Sequence, residues 1–159
     1  GGVDKAIRDY FGFEIQINVQ TAINKVFLGE LPVGASVLIE TGHKTIPYLI
    51  YAPTMRTPKS IKGTDIPYVS TWSSLTTAER FLNNIKLLPD HMVIDTAEVD
   101  TIVLPGMGTG AGAIPLNIAA QQMVLAVEKY FLYKEDFGKT KTDMHYRGNE
   151  TEKQLSFLK

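Results

Sequence analysis

The stretch Thr101-Ile102-Val103-Leu104-Pro105-Gly106-Met107-Gly108-Thr109-Gly110-Ala111-Gly112-Ala113-Ile114-Pro115 decides how the rest of the chain is read. Four apolar or β-branched residues in a row predict a buried strand, Thr101 to Leu104. Glycine then alternates at 106, 108, 110 and 112. Alternate glycines let the backbone turn with positive φ and bring successive amides close to a ligand. Pro115 stands in the favoured first turn of a helix predicted to run to about Phe131. Amides at such a helix start, together with the helix dipole, favour a phosphate or pyrophosphate.

Two familiar phosphate loops fail on context. Gly108-x-Gly110-x-x-Ala113 meets a relaxed dinucleotide fingerprint, but the fold behind that fingerprint needs a further strand ending in an acid. The polar stretch after the helix offers none. Gly138-Lys139-Thr140 resembles the end of a P-loop, yet Tyr133 stands where the first glycine belongs.

Outward from this stretch the chain alternates helix and strand. Ala6, Ile7, Tyr10 and Phe11 share a helical face that Gly12 ends, and Ile15, Val19, Ala22, Ile23 and Val26 predict a second helix stopping before Gly29. Ala35 to Thr41 is β-rich. Tyr48 to Ala52 is a continuous apolar run, as expected of a strand buried on both faces. Pro53 to Pro67 reads as a long loop, a length often tied to function. Thr54, Met55 and Arg56 sit where α/β folds place ligand contacts; Arg56 could meet a phosphate there, but a solvated loop arginine is the favoured reading. Helical spacing returns from Tyr68 to about Leu88, with Thr76 and Glu79 as a possible capping box and Pro89 as the stop. Around Val93 and Ile94 the pattern is ambiguous. Trp72 and Phe81 read as core. The expected organisation is one domain over residues 1–132 and a polar C-terminal tail over 133–159 that docks some of its aromatic residues.

At 159 residues and 44% hydrophobic, the chain can bury a full core. It has no cysteine, which removes disulfides, thiolate zinc sites and a cysteine nucleophile. That composition, without a signal peptide or an apolar run long enough for a membrane span, leads to a cytoplasmic location as the expectation. A formal charge of −1 gives no electrostatic case for broad nucleic-acid binding. His43, His91 and His145 have no metal-ligand spacing, so no metal and no cofactor is expected. The opening Gly1-Gly2-Val3-Asp4 lacks an initiator Met, and the chain is expected to begin inside a larger protein or to follow processing or cloning.

Those first residues form a second candidate loop. Asp4 falls in the first turn of the first helix, where a carboxylate interacts favourably with the dipole. It is also placed to hold or deprotonate a water beside a bound phosphate-ribose.

Gly-Gly-Val-Asp-x-Ala-Ile at the start, followed by strand, helix and the strand–glycine loop–Pro–helix unit, resembles a macro domain over roughly residues 1–131. The resemblance implies a three-layer α/β/α sandwich with a mixed central sheet. It implies that Gly1, Gly2 and Val3 on one side, and Gly106, Gly108, Thr109, Gly110, Ala111, Gly112 and Ala113 on the other, close over the diphosphate and distal ribose of ADP-ribose. In hydrolytic members of the MacroD type an aspartate at the position of Asp4 assists water attack at that ribose. The partner would be ADP-ribose or an ADP-ribosylated protein, with no membrane and no nucleic acid. The family's opening strands would precede Gly1, so an N-terminal segment of the same protein or another polypeptide would supply them. Many hydrolytic members carry an aromatic residue where this chain has Gly112, and Arg8 stands where some have His. Hydrolysis of ADP-ribose from modified proteins, a non-catalytic ADP-ribose reader and a decayed structural domain are the readings left open.

Overall fold

The computed structural model describes residues 2–86, 99–136 and 144–159. The expected strand or turn at Val93 and Ile94, the stop at Pro89, His91 and the lysines at 139 and 141 lie outside them.

Helix α1 (Gly2–Phe11) and helix α2 (Glu14–Phe27) follow the predicted apolar spacing. Gly12, at φ +86°, ends α1 by returning its amide to the Arg8 carbonyl at 2.9 Å. Strands β1 (Val37–Glu40) and β2 (Tyr48–Tyr51) pair antiparallel, with Val37 opposite Tyr51 and Ile39 opposite Leu49. Residues two apart share a face of a strand, so these four line one side of the hairpin. That side packs under α1 and α2 through Ile7, Phe11, Ile15, Val19 and Ile23. Each such aliphatic side chain, once buried, contributes about 1.5–3 kcal/mol.

The turn between the strands is held by His43. Its Nδ1 accepts from the Thr45 and Ile46 amides, both at 3.3 Å, and its Nε2 lies 3.2 Å from the Tyr10 hydroxyl on α1. His43 is therefore a turn residue.

Helix α3 (Ile66–Lys86) and helix α4 (Leu116–Asp136) pack along one another. Small and polar residues make the contact possible: Ser70, Thr71, Ser74 and Ala78 on α3, and Ala119, Gln122 and Ala126 on α4, are all buried. The Ser73 and Ser74 hydroxyls return to the Ser70 carbonyl of their own helix, at 3.3 and 2.8 Å. At the far end Glu79 accepts from Tyr130 at 2.6 Å and from Lys134 at 2.7 Å. Trp72 lies beside Tyr68, Tyr130 and Tyr133, so it is a packing residue, as read. The Ser36 hydroxyl donates to the Ser73 carbonyl at 2.9 Å and ties the hairpin to α3.

Several expectations change. Thr76 and Glu79 are not a capping box: α3 starts ten residues before Thr76, whose hydroxyl bonds the Ser73 carbonyl inside the helix. Pro67 in the first turn is the true start signal. Strand β2 is half-buried throughout rather than enclosed on both faces: one face packs on the α1 and α2 cluster, and the other is covered only in part by α3, with Tyr48 against Phe81. Thr101–Leu104 is not a strand, and Val103 is 87% exposed. An apolar run becomes a strand only when another strand satisfies its backbone, and among the described residues none lies beside it. The described residues thus display α/β character with a two-stranded antiparallel sheet and no mixed central sheet.

The last segment is structured. Helix α5 (Met144–Ser156) sets the buried Leu155 against the domain. The Gln122 amide donates to the Leu158 carbonyl at 2.8 Å, while Phe157 is exposed.

Candidate functional site

The glycine loop is a closed, folded-back turn. The Ala113 amide donates to the Gly110 carbonyl at 2.9 Å and the Ile114 amide to the Gly108 carbonyl at 3.1 Å. The Thr109 hydroxyl donates to the Gly106 carbonyl at 3.0 Å. Gly108 adopts φ +72°, so there the glycine is needed for its backbone conformation. At Gly112 the need is space: a Cβ there would fall 2.4 Å from the Gly108 carbonyl oxygen and 2.8 Å from Ile61 Cγ1. Gly110 has nothing within 4 Å of its Cβ direction and faces outward, as do Ala111 and Ala113. Ala113 takes φ +53°, an unusual conformation for a residue with a Cβ.

The loop feeds α4 directly. The Pro115 carbonyl accepts the Ala119 amide at 2.9 Å, so Pro115 serves as the cap and the helix begins one residue later than expected. The first turn of α4 carries no acidic side chain, and its amides lie outside the intrahelical ladder. Amides in that state, next to the exposed edge of the glycine loop, can receive an anion.

The other candidate residues open α1, which packs on the hairpin cluster beside α2. Gly1 is outside the described residues. Gly2, at φ +73°, opens α1, and Val3 and Asp4 are exposed in its first turn. Asp4 is one turn before Ile7, which packs on the same cluster as Tyr51 at the end of β2. Burial pushes the Tyr51 phenol up from its ordinary value, and the negative charge of Asp4 adds to that. Arg8 lies along the same helix, exposed, 3.8 Å from Asp9.

From Tyr51 the chain runs straight into the loop that buttresses the glycines. Met55 packs with Ile61, Ile114 and Ala119 beneath them. The Ile61 amide donates to the Gly112 carbonyl at 2.9 Å. Arg56 points the other way and pairs with Glu30 at 2.7 Å, both side chains well exposed. Residues 106–113 are thus brought together as one surface, and β2 with residues 52–61 connects it along the chain to the cluster on which α1 packs. Among the described residues no hydrogen bond links the first turn of α1 to the glycine loop. Two surface hollows lie elsewhere. One of about 390 Å³ is between α4 and Leu158, and one of about 280 Å³ is between α2, β1 and α3.

Sequence pattern does not single out Tyr51 or Ile61. Tyr51 is one residue of a predicted strand, and its place at the end of β2 is its only signal. Ile61 is a lone aliphatic residue in a polar loop, and what it covers is decided by the fold. Among the described residues, no group of acidic or histidine side chains could hold a metal ion, and no helix is long and apolar enough to cross a membrane.

The described residues form an α/β domain, a β-hairpin and helices with a glycine loop at a helix start. The family model for the macro domain matches residues 1–123, and the chain belongs to the macro-domain family, a family of ADP-ribose-binding modules. It is similar to an uncharacterized protein of Aquifex aeolicus (strain VF5), with 29% identity over 130 residues that cover 82% of this chain and 66% of that one. The match therefore spans just under two thirds of that relative's length. No solved structure matches the chain.

Proposed function

We propose that this chain binds ADP-ribose and hydrolyses it from modified proteins, or hydrolyses a related ADP-ribose derivative. The observation that carries the reading is the folded-back glycine loop at the unacidified start of α4, with Gly110, Ala111 and Ala113 outermost. Amides of Gly108, Thr109, Gly110 and Ala111 receive the diphosphate, with Gly106, Gly112 and Ala113 shaping the loop. Gly1, Gly2 and Val3 close over the distal ribose from the other flank. The three-layer α/β/α arrangement with a mixed central sheet belongs to this reading, as does a cytoplasmic location.

Asp4 is the catalytic residue. Its carboxylate orients a water at the distal ribose and takes up a proton as the water oxygen forms its bond to the anomeric carbon of that sugar. The acceptor side chain leaves with the electron pair of the broken bond and is protonated in turn. A positioned general base of this kind is worth on the order of 10²–10⁴ in rate.

Calorimetric titration with ADP-ribose, with AMP and NAD as comparators, tests binding. A preference for ADP-ribose is expected, and absence of heat with all three would overturn the reading. Turnover of an ADP-ribosylated protein then tests catalysis. Asp4→Ala is expected to abolish turnover and to leave affinity largely intact, whereas normal turnover in that variant removes Asp4 from the mechanism. Binding without any turnover in the unaltered chain leaves a reader module.

A further inference from the structure

We propose that Ile61 is a positioning residue that sets the width of the glycine loop, and through it the aim of the loop amides at the diphosphate. The inference rests on the ADP-ribose reading above and goes beyond it, because Ile61 belongs to neither ligand loop.

Three independent contacts hold Ile61 between the limbs of the loop. Its side chain reaches both limbs: Cδ1 lies 3.0 Å from where a Cβ on Gly108 would stand, and Cγ1 2.8 Å from where one on Gly112 would stand. Its amide donates to the Gly112 carbonyl at 2.9 Å. Its own carbonyl accepts the Thr64 hydroxyl at 2.7 Å, and the Thr64 carbonyl in turn accepts the Gln122 amide at 2.9 Å. Gln122 is fully buried on α4. Helix α4 therefore fixes Thr64, Thr64 fixes Ile61, and Ile61 wedges the turn that precedes the same helix. At 4% exposure Ile61 cannot itself touch a ligand.

The geometry gives this wedge a specific consequence. Glycine backbones have many conformations available, and a loop of four of them would lose much freedom on gripping a ligand. A side chain that already excludes the alternatives reduces that loss, so its removal weakens binding beyond its effect on stability. Ile66 packs on the same cluster, but the groups crowding the glycine Cβ positions are those of Ile61 and Ile114, so Ile66 serves as the comparison.

The test compares Ile61→Ala, Ile61→Val and Ile66→Ala by calorimetry with ADP-ribose, by thermal unfolding, and by amide hydrogen exchange without ligand. Ile61→Ala should weaken ADP-ribose binding about tenfold or more, Ile61→Val should recover most of it, and Ile66→Ala should stay within about twofold at a similar loss of Tm. Equal loss of affinity in Ile61→Ala and Ile66→Ala, tracking Tm, overturns the proposal. If the unaltered chain does not bind ADP-ribose, the functional reading falls and exchange decides on Ile61 separately. The Ala113 and Ile114 amides should then exchange about tenfold faster in Ile61→Ala than in Ile66→Ala, and equal rates would refute the wedge.

Discussion

Ile61 and Gly112 are joined twice: the Ile61 amide bonds the Gly112 carbonyl at 2.9 Å, and the Ile61 side chain fills the space that a side chain on Gly112 would require. A glycine demanded by space differs from a glycine demanded by a ligand, and substitution separates the two. Gly112→Ala forces a methyl group against backbone and should cost about 2 kcal/mol or more of stability, with binding lost alongside. Gly110→Ala meets open space. It should unfold like the unaltered chain and lose affinity only by obstructing the ligand. Thermal unfolding and calorimetry on both variants check this, and equal destabilisation by the two would contradict the geometry.

Among the described residues, two with side chains occupy left-handed backbone, Leu28 at φ +56° and Ala113 at φ +53°. Leu28 ends α2 and is 95% exposed, so its side chain contributes almost no burial to offset the strain. Leu28→Gly is expected to stabilise the fold by about 0.5–1 kcal/mol, read as a Tm increase of about 1–4 °C. Ala113→Gly should act the same way on stability. Because it also loosens the glycine loop, its affinity for ADP-ribose should fall, which Leu28→Gly should not cause.

Glu79 gives the fold a defined acid limit. Hydrogen bonds from Lys134, then from Tyr130 and Asn83, hold its carboxyl below the ordinary value, against an opposing effect of burial. A carboxyl with a depressed folded-state pKa adds stability that is present above its unfolded value and is lost as pH falls through the folded one. Tm should therefore drop below about pH 4.5, where free glutamate takes up its proton. Glu79→Gln should lower Tm at neutral pH, and its curve should meet that of the unaltered chain in acid. Curves that stay parallel down to acid pH would assign no part of the limit to Glu79. At the alkaline end Tyr68 is pushed up to about 12, chiefly by burial and next by Tyr133. A raised pKa works in the other direction, so its contribution is present below the ordinary tyrosine value and is lost as pH climbs above it.

The adjacency of Asp4 and Tyr51 can be tested without a ligand. Asp4→Asn removes a negative charge that raises the Tyr51 phenol, while burial continues to raise it. Titration of the tyrosine ring carbons by NMR should show one resonance, that of Tyr51, moving to a lower pKa and remaining above the ordinary value. An unchanged titration would place Asp4 away from the end of β2.

Local pattern alone determined much of this protein. The spacing of Ile15, Val19, Ala22 and Ile23 defines α2, Tyr48 to Tyr51 reads as β, and the glycines after Pro105 mark a turn before a helix. Family membership was legible for the same reason, since both candidate loops are short contiguous motifs whose chemistry lies in the backbone. What the sequence left open depended on partners distant along the chain. Thr101 to Leu104 has the composition of a strand, but strand formation depends on a neighbour that composition does not specify. Thr76 and Glu79 match a capping box, but Pro67 starts the helix earlier and Glu79 is used by Tyr130 and Lys134 on another helix. Ile61 was one aliphatic residue in a polar loop until folding placed it against Gly108 and Gly112. Periodicity and turn chemistry act over a few residues and can be read directly. Backbone pairing and close packing join residues tens of positions apart, so only the tertiary structure decided them.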